Sequence, residues 1–278
     1  MASVPERRPR GRPREEKWLK AGDAKPNASL EKALGLLKVL SDHDGLTLTE
    51  LADKAGLPPS TTHRLLSTLS GHDLVGCDEA TQKWSIGVEA LRIGMAFQRR
   101  NKILLAGRPV MTELMEATGE TVNMAMLDTF QVVFVSQVEC QEPIRAFFRI
   151  GERRASHASG IGKALLAEMT PERIDQFLRS HTLTRFTPAT LTDPQSLRDE
   201  LTAIRQRGWS VDNEEANQGM CCVAAAIFNE FGEARAGISL SGPSARLTAD
   251  RLPELGAKVR AAADKISKLI GGNLYVIT

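Results

Sequence analysis

The segment that most limits what this chain can become is Thr47–Leu69, TLTELADKAGLPPSTTHRLLSTL. Thr47 and Glu50 stand three apart ahead of apolar residues, the spacing of a capping box in which hydroxyl and carboxylate each satisfy a free amide. Leu48, Leu51, Ala52 and Ala55 then recur on one helical face. Gly56 offers the positive φ that ends a helix, and Pro59 suits the first turn of the next, where a missing N–H costs nothing. On that second helix Leu65, Leu66 and Leu69 form the inner row, leaving Ser60, Thr61, His63, Arg64 and Ser67 outside. Hydroxyls, an imidazole and a guanidinium in one row can hydrogen-bond base edges or phosphates in a DNA groove. With Thr62 beside them, these are the candidate DNA contacts of a helix-turn-helix. An ordinary two-helix corner has the same spacing, so the neighbouring chain decides.

Two short β-prone runs follow, Leu74–Cys77 and Lys83–Ile86, separated by polar Asp78–Gln82. They predict a hairpin, and a hairpin directly after the second helix is a wing. Before the motif, Leu30, Ala33, Leu34, Leu37 and Leu40 predict an amphipathic roof helix, with Asn27 or Ser29 as its cap. Three helices and a wing make a small unit over residues 29–87.

The chain has 278 residues, enough for two domains. No apolar run approaches the ~20 residues of a membrane span, and no apolar stretch follows the basic N-terminus to make a signal peptide. A cytoplasmic protein is expected. Cys77, Cys140, Cys221 and Cys222 show neither metal-ligand spacing nor a disulfide framework, so no metal or cofactor is expected. The net charge of +2 is uninformative, but its distribution is not: residues 1–28 hold eight basic and four acidic side chains. That segment has no apolar periodicity and is expected to be a disordered arm. Within it Pro9-Arg10-Gly11-Arg12-Pro13 is similar to an AT-hook core, which would place Arg10 and Arg12 in a narrow minor groove; the alternative is a solubilising basic tail.

Val88, Leu91, Ile93, Met95 and Phe97 predict a linker helix over residues 88–100, a candidate dimerisation element. Over 101–278, helices are expected near Ile103–Ala117, Pro171–Arg179, Pro194–Arg207 and Thr248–Ile270, with another opening near Ser159-Gly160. Strands are expected at Thr121–Leu127, Gln131–Glu139, Ile144–Ile150, Trp209–Asp212, Met220–Phe228 and Ala234–Leu240. Without a regular βαβ alternation, this is an α+β domain, an antiparallel sheet flanked by helices.

Ser159-Gly160-Ile161-Gly162-Lys163 invites a phosphate-loop reading, which fails because His157 and Ala164 occupy the places of the first glycine and the closing Ser or Thr. A dinucleotide fingerprint fails at Leu165. Gly160 and Ile161 nevertheless open a helix, and free N–H groups there favour a small anion such as a carboxylate. A nucleophile at Cys222 or Ser159 with His157 as base could be drawn, but such pairs arise in any sequence; a structural histidine is the plainer use of His157.

Four separated blocks in order are similar to the isocitrate-lyase regulator (IclR) family of bacterial transcription factors. They are Leu57–Leu66, His157–Ala164, Gly208–Glu215, and Gly219–Ile227 followed by Ser239–Pro243. The resemblance implies a winged helix-turn-helix joined by a helix to a GAF-like effector domain, a non-enzymatic regulator working on double-stranded operator DNA as a dimer or dimer of dimers. It also implies a pocket for a small 2-oxo acid such as glyoxylate or pyruvate. The amides of Gly160 and Ile161 would meet the ligand, and Asp212, Cys222, Ser239 and Ser241 would complete the polar ring. Three departures stand out: Ile161 replaces the usual alanine, Ala226 the usual proline, and Arg153-Arg154 stands where an apolar pocket residue is expected. Either arginine could reach a second carboxylate of a larger effector, or both could be solvated. The rival from another class is a small-molecule enzyme or sensor whose helix-turn-helix serves only to contact protein.

Overall fold

The computed structural model describes residues 27–272, and the chain divides into two compact units between Met95 and Ala96. The expected basic arm, including Arg10 and Arg12, lies outside the described residues. No described helix is long and apolar enough to cross a membrane.

In the first unit, α1 (Ala28–Ser41) starts on Asn27, whose side chain accepts from the N–H groups of Ser29 and Leu30 at 3.1 Å. Its buried row is Leu36 and Leu40, while Leu30 and Leu34 are exposed, contrary to the roof face expected from sequence. At about 100° per residue, Leu34 stands roughly 160° around the helix from Leu36, so both cannot face inward. After β1 (Leu46–Thr47), α2 (Leu48–Ala55) opens with the expected box: Thr47 N–H donates to Glu50 at 2.8 Å, and Glu50 N–H to the Thr47 hydroxyl at 3.4 Å. Gly56, at φ +64°, closes it. Helix α3 (Pro59–Ser70) carries its proline in the first turn and buries Leu66 and Leu69. It also buries Thr62 completely, and the Thr62 hydroxyl donates to the Pro58 carbonyl at 3.2 Å. Thr62 is therefore removed from the DNA-contacting set, because it lies on the same helical face as Leu66 and Leu69. Strands β2 (Val75–Cys77) and β3 (Lys83–Ile86) form the wing, and β1 extends it to an antiparallel sheet of order β1-β3-β2. Helix α4 (Val88–Arg100) crosses the division between units and buries none of its own residues.

The second unit contains α5 (Lys102–Thr118), β4 (Thr121–Asp128), β5 (Gln131–Val138), β6 (Arg153–Ala155), a 3-10 turn at Ser156–Ala158, and α6 (Gly160–Ala167). Then come α7 (Pro171–Ser180), α8 (Pro194–Arg207), β7 (Ser210–Asn213), β8 (Met220–Phe228), β9 (Ala234–Pro243) and α9 (Leu252–Leu269). The six strands are antiparallel throughout, in the order β6-β5-β4-β9-β8-β7. Alternation along β4 and β9 sorts the two faces. Val122, Met124, Ile238 and Leu240 pack with α5 and α9, whereas Ala125 packs toward Ile161 and Leu165 of α6. The outer side of α6 joins α7 and α8 through Leu166, Phe177, Leu197 and Leu201.

The expected strand at Ile144–Ile150 is absent: that stretch is irregular, with Ile144, Phe147 and Ile150 exposed. The edge beside β5 is taken instead by β6, with Gln131 opposite Ala155 and Val133 opposite Arg153. Ala146 is buried within this stretch, and Phe148 turns in to stack on Phe134 with ring centroids 4.5 Å apart.

Candidate functional site

Helix α6 begins at the sheet with Ser159 as its cap. The Ser159 hydroxyl accepts from Gly162 N–H at 3.3 Å, and its carbonyl from Lys163 N–H at 2.8 Å. The first amides of a helix have no intrahelical acceptor, and those of Gly160 and Ile161 have no hydrogen-bond partner among the described residues. Both residues line a cavity of about 60 Å³. Since ~10–15 Å³ on this measure admits one water, the space suits a molecule of a few heavy atoms. Gly162 has to be glycine, because a Cβ there would lie 2.2 Å from the Ser156 carbonyl oxygen. Ile161, the bulky departure, is accommodated by Gly237 of β9, where a Cβ would stand 2.6 Å from the isoleucine Cγ2.

All six residues proposed from sequence for the effector, namely Gly160, Ile161, Asp212, Cys222, Ser239 and Ser241, line this one cavity. They arrive from α6, β7, β8 and β9. Register explains the convergence: β8 pairs Cys222 with Ser241, and β7 pairs Asp212 with Cys222. Behind Ser241, the buried Asn123 amide donates to its hydroxyl oxygen at 3.2 Å, so the hydroxyl proton is free to point elsewhere.

Sequence reasoning missed the apolar wall, Phe134, Phe148, Phe186 and Met220, and the polar rim residue Asn217. These come from strands and connections whose inward side is set only by pairing. The two arginines part company. Arg153 reaches out to Asp128 at 2.5 Å, with both side chains about half exposed. Arg154 lines the cavity, with its Nε on Glu152 at 2.6 Å and its guanidinium 5.5 Å from the Phe148 ring centroid.

Burial, then the nearby Glu215 carboxylate, pushes the Asp212 carboxyl up to about 7, against the pull of the Glu215 and Ala216 amides and of Lys163. Near neutrality it can therefore hold a proton and act as a donor beside an anion. Burial pushes the Cys222 thiol well above its ordinary range and Cys221 up to about 12. Such thiols are poor nucleophiles and serve as small apolar groups. His157 is buried, its Nε2 lies 3.0 Å from the Thr184 carbonyl oxygen, and burial lowers its pKa. It is a structural histidine.

On the first unit, Ser60, His63, Arg64 and Ser67 are exposed along α3 and Thr61 is half-buried. The Ser67 hydroxyl donates to the His63 carbonyl at 3.0 Å. The row starts at the helix N-terminus, where the first amides are also free for phosphate.

Residues 95–268 match the family described as bacterial transcriptional regulator IclR, C-terminal, and residues 29–79 match the IclR helix-turn-helix domain. The chain is 47% identical to the HTH-type transcriptional regulator BhcR of Paracoccus denitrificans, with 94% of each chain covered. It is 41% identical to the transcriptional repressor IclR of Escherichia coli K12, over 88% of this chain and 90% of that one. Among solved structures, the IclR of Thermotoga maritima superposes with a TM-score of 0.74 at 28% identity, covering 87% of this chain and 98% of the other.

Proposed function

This chain belongs to the IclR family of DNA-binding transcriptional regulators, which are not enzymes, and from that premise we propose that its operator binding is modulated by a small 2-oxo acid. Glyoxylate is the first candidate, with pyruvate or a larger carboxylate as the alternative. The observation that carries this reading is the meeting, in one small cavity, of two unpaired amides at Gly160 and Ile161 with Asp212, Ser239 and Ser241. Amides and helix dipole favour the carboxylate. A protonated Asp212 and the serine hydroxyls can donate to the carbonyl or its hydrate without repelling the charge. Arg154, already engaged by Glu152, is the group that would meet a second carboxylate.

On DNA, Ser60, Thr61, His63, Arg64 and Ser67 are the proposed groove contacts, with Arg10 and Arg12 supplying a minor-groove arm. The protein acts in the cytoplasm as a homodimer or dimer of dimers. The apolar side chains Val88, Leu91, Ile93 and Phe97 of α4, all more than half exposed in one chain, support self-association there. Paired α3 helices would then read half-sites about one helical turn, or a multiple, apart.

The test is a gel-shift titration of the purified protein on its own upstream promoter fragment, with and without glyoxylate and pyruvate. Sequence-selective retention that weakens with salt and shifts with an acid is expected. Retention no better than on unrelated duplex would reject the DNA assignment, and insensitivity to every small 2-oxo acid would reject the effector.

A further inference from the structure

Lys163, the residue that made α6 look like part of a phosphate loop, is not on the cavity wall. It is 1% exposed, its ammonium bonds the Glu215 carboxylate, and Glu200 of α8 lies 4.0 Å away. Glu215 is itself 6% exposed, and its backbone is tied on both sides. Its N–H donates to Asp212 Oδ1 at 2.8 Å, and its carbonyl accepts from the Thr190 hydroxyl at 2.6 Å. The preceding carbonyl, of Glu214, accepts from the Thr187 hydroxyl at 2.6 Å. Thr187 and Thr190 belong to the connection that brings Phe186 to the cavity. Three walls of the site thus converge on one residue that never reaches the cavity: the helix bearing the anion-facing amides, the Asp212–Asn217 edge, and the Phe186 connection. Glu214 is held at φ +60°, a conformation unfavourable for a glutamate, so this edge needs an outside hold.

Stability alone is a weak reason for such a pair, because apolar side chains of similar volume often serve a fold equally well. Direction is different. An ammonium on a carboxylate fixes where the chain bearing each must stand, and apolar contact does not. We propose that Lys163 and Glu215 are positioning residues for the effector site, setting the Asp212 carboxyl and the edge after it against the Gly160 and Ile161 amides. This rests on the anion reading of the cavity, and the experiment separates the two.

The full-length double variant Lys163→Met/Glu215→Leu replaces the pair with apolar side chains, and Glu215→Gln keeps the shape while removing the charge. Amide hydrogen exchange over residues 210–219 without ligand, the thermal midpoint, and calorimetric glyoxylate affinity are compared with the parent. The expected result is a midpoint within a few degrees, at least tenfold faster exchange at residues 212–217, and at least tenfold weaker glyoxylate binding. Glu215→Gln leaves the buried Lys163 ammonium without its carboxylate and should lower the midpoint more than the double variant does. Its exchange should be faster and its glyoxylate binding weaker, each several-fold, and it carries the comparison if the double variant does not fold. Unchanged exchange at 212–217, or parental glyoxylate affinity in a folded variant, overturns the proposal. If exchange accelerates while the parent binds neither glyoxylate nor pyruvate, the effector assignment falls and the positioning role stands.

Discussion

Asp212→Asn should stabilise the effector-free protein above neutral pH and change it little in mild acid. The asparagine carbonyl can still accept the 2.8 Å bond from Glu215 N–H. The substitution therefore removes an ionisation rather than a contact. Burial and the neighbouring Glu215 carboxylate hold Asp212 at about 7 against an ordinary 3.8. Between those values the folded chain keeps a proton that the unfolded chain has lost. The folded-state pKa is the higher one, so this carboxyl's contribution is intact below pH 3.8, declines as pH rises, and is fully lost above about 7. At 1.36 kcal/mol per pKa unit, the loss is of the order of 4 kcal/mol. At pH 4.5 only about 1 kcal/mol of it has developed. Urea unfolding of both proteins at pH 4.5 and 8.5, followed by circular dichroism, measures the difference. Titrating groups remote from Asp212 are common to both and cancel. Glu215, Cys221 and Cys222, which feel the Asp212 charge, are relieved by its removal and add to the asparagine's gain at pH 8.5. Asparagine should gain roughly 2–4 kcal/mol at pH 8.5 and no more than about 1 at pH 4.5. An equal effect at both pH values would show that the carboxyl is ionised in the folded protein throughout, and the donor role given to it would go as well.

Arg64→Ala should weaken operator binding by roughly 5- to 150-fold, the equivalent of one good base or phosphate contact at about 1–3 kcal/mol, with glyoxylate affinity unaltered. Thr62→Val, whose hydroxyl serves only the Pro58 carbonyl, should bind operator as the parent does, and fluorescence anisotropy on the same duplex reads both. Leu91→Glu/Phe97→Glu on α4 should lower the association state in sedimentation velocity while leaving the helical content unchanged; an unaltered sedimentation coefficient would exclude α4 from the subunit contact.

Local signals were legible where the physics is local. The Thr47/Glu50 box, the left-handed Gly56 and the Pro194-to-Gly208 span of α8 each follow from backbone groups satisfied within a turn of the residue concerned. Thr62 has the hydroxyl of a groove contact, but its position four before Leu66 and seven before Leu69 marks the inner face, where it is buried. Ile144–Ile150 has the composition of a strand, but composition does not supply an edge to pair with, and β6 occupies the one beside β5. Of the six cavity residues, Gly160 and Ile161 are legible from the helix terminus they open, and Asp212, Cys222, Ser239 and Ser241 only from the family blocks. Nothing local in Glu215 or Lys163 shows that they meet, since 52 residues separate them. Arg153 and Arg154 were indistinguishable for a related reason: alternation on β6 decides which one turns inward, and that depends on the partner strand.

The central seam of the sheet joins β4 to β9, and the Asn123–Ser241 bond across it spans 118 positions of chain. Closing so large a loop is slow compared with folding helices and hairpins, and a growing polypeptide emerges from its N-terminal end first. During synthesis the DNA-reading half can therefore be complete while the sensing half still lacks its final hairpin. For that interval a newborn subunit carries a folded DNA-reading unit ahead of a cavity that has yet to close.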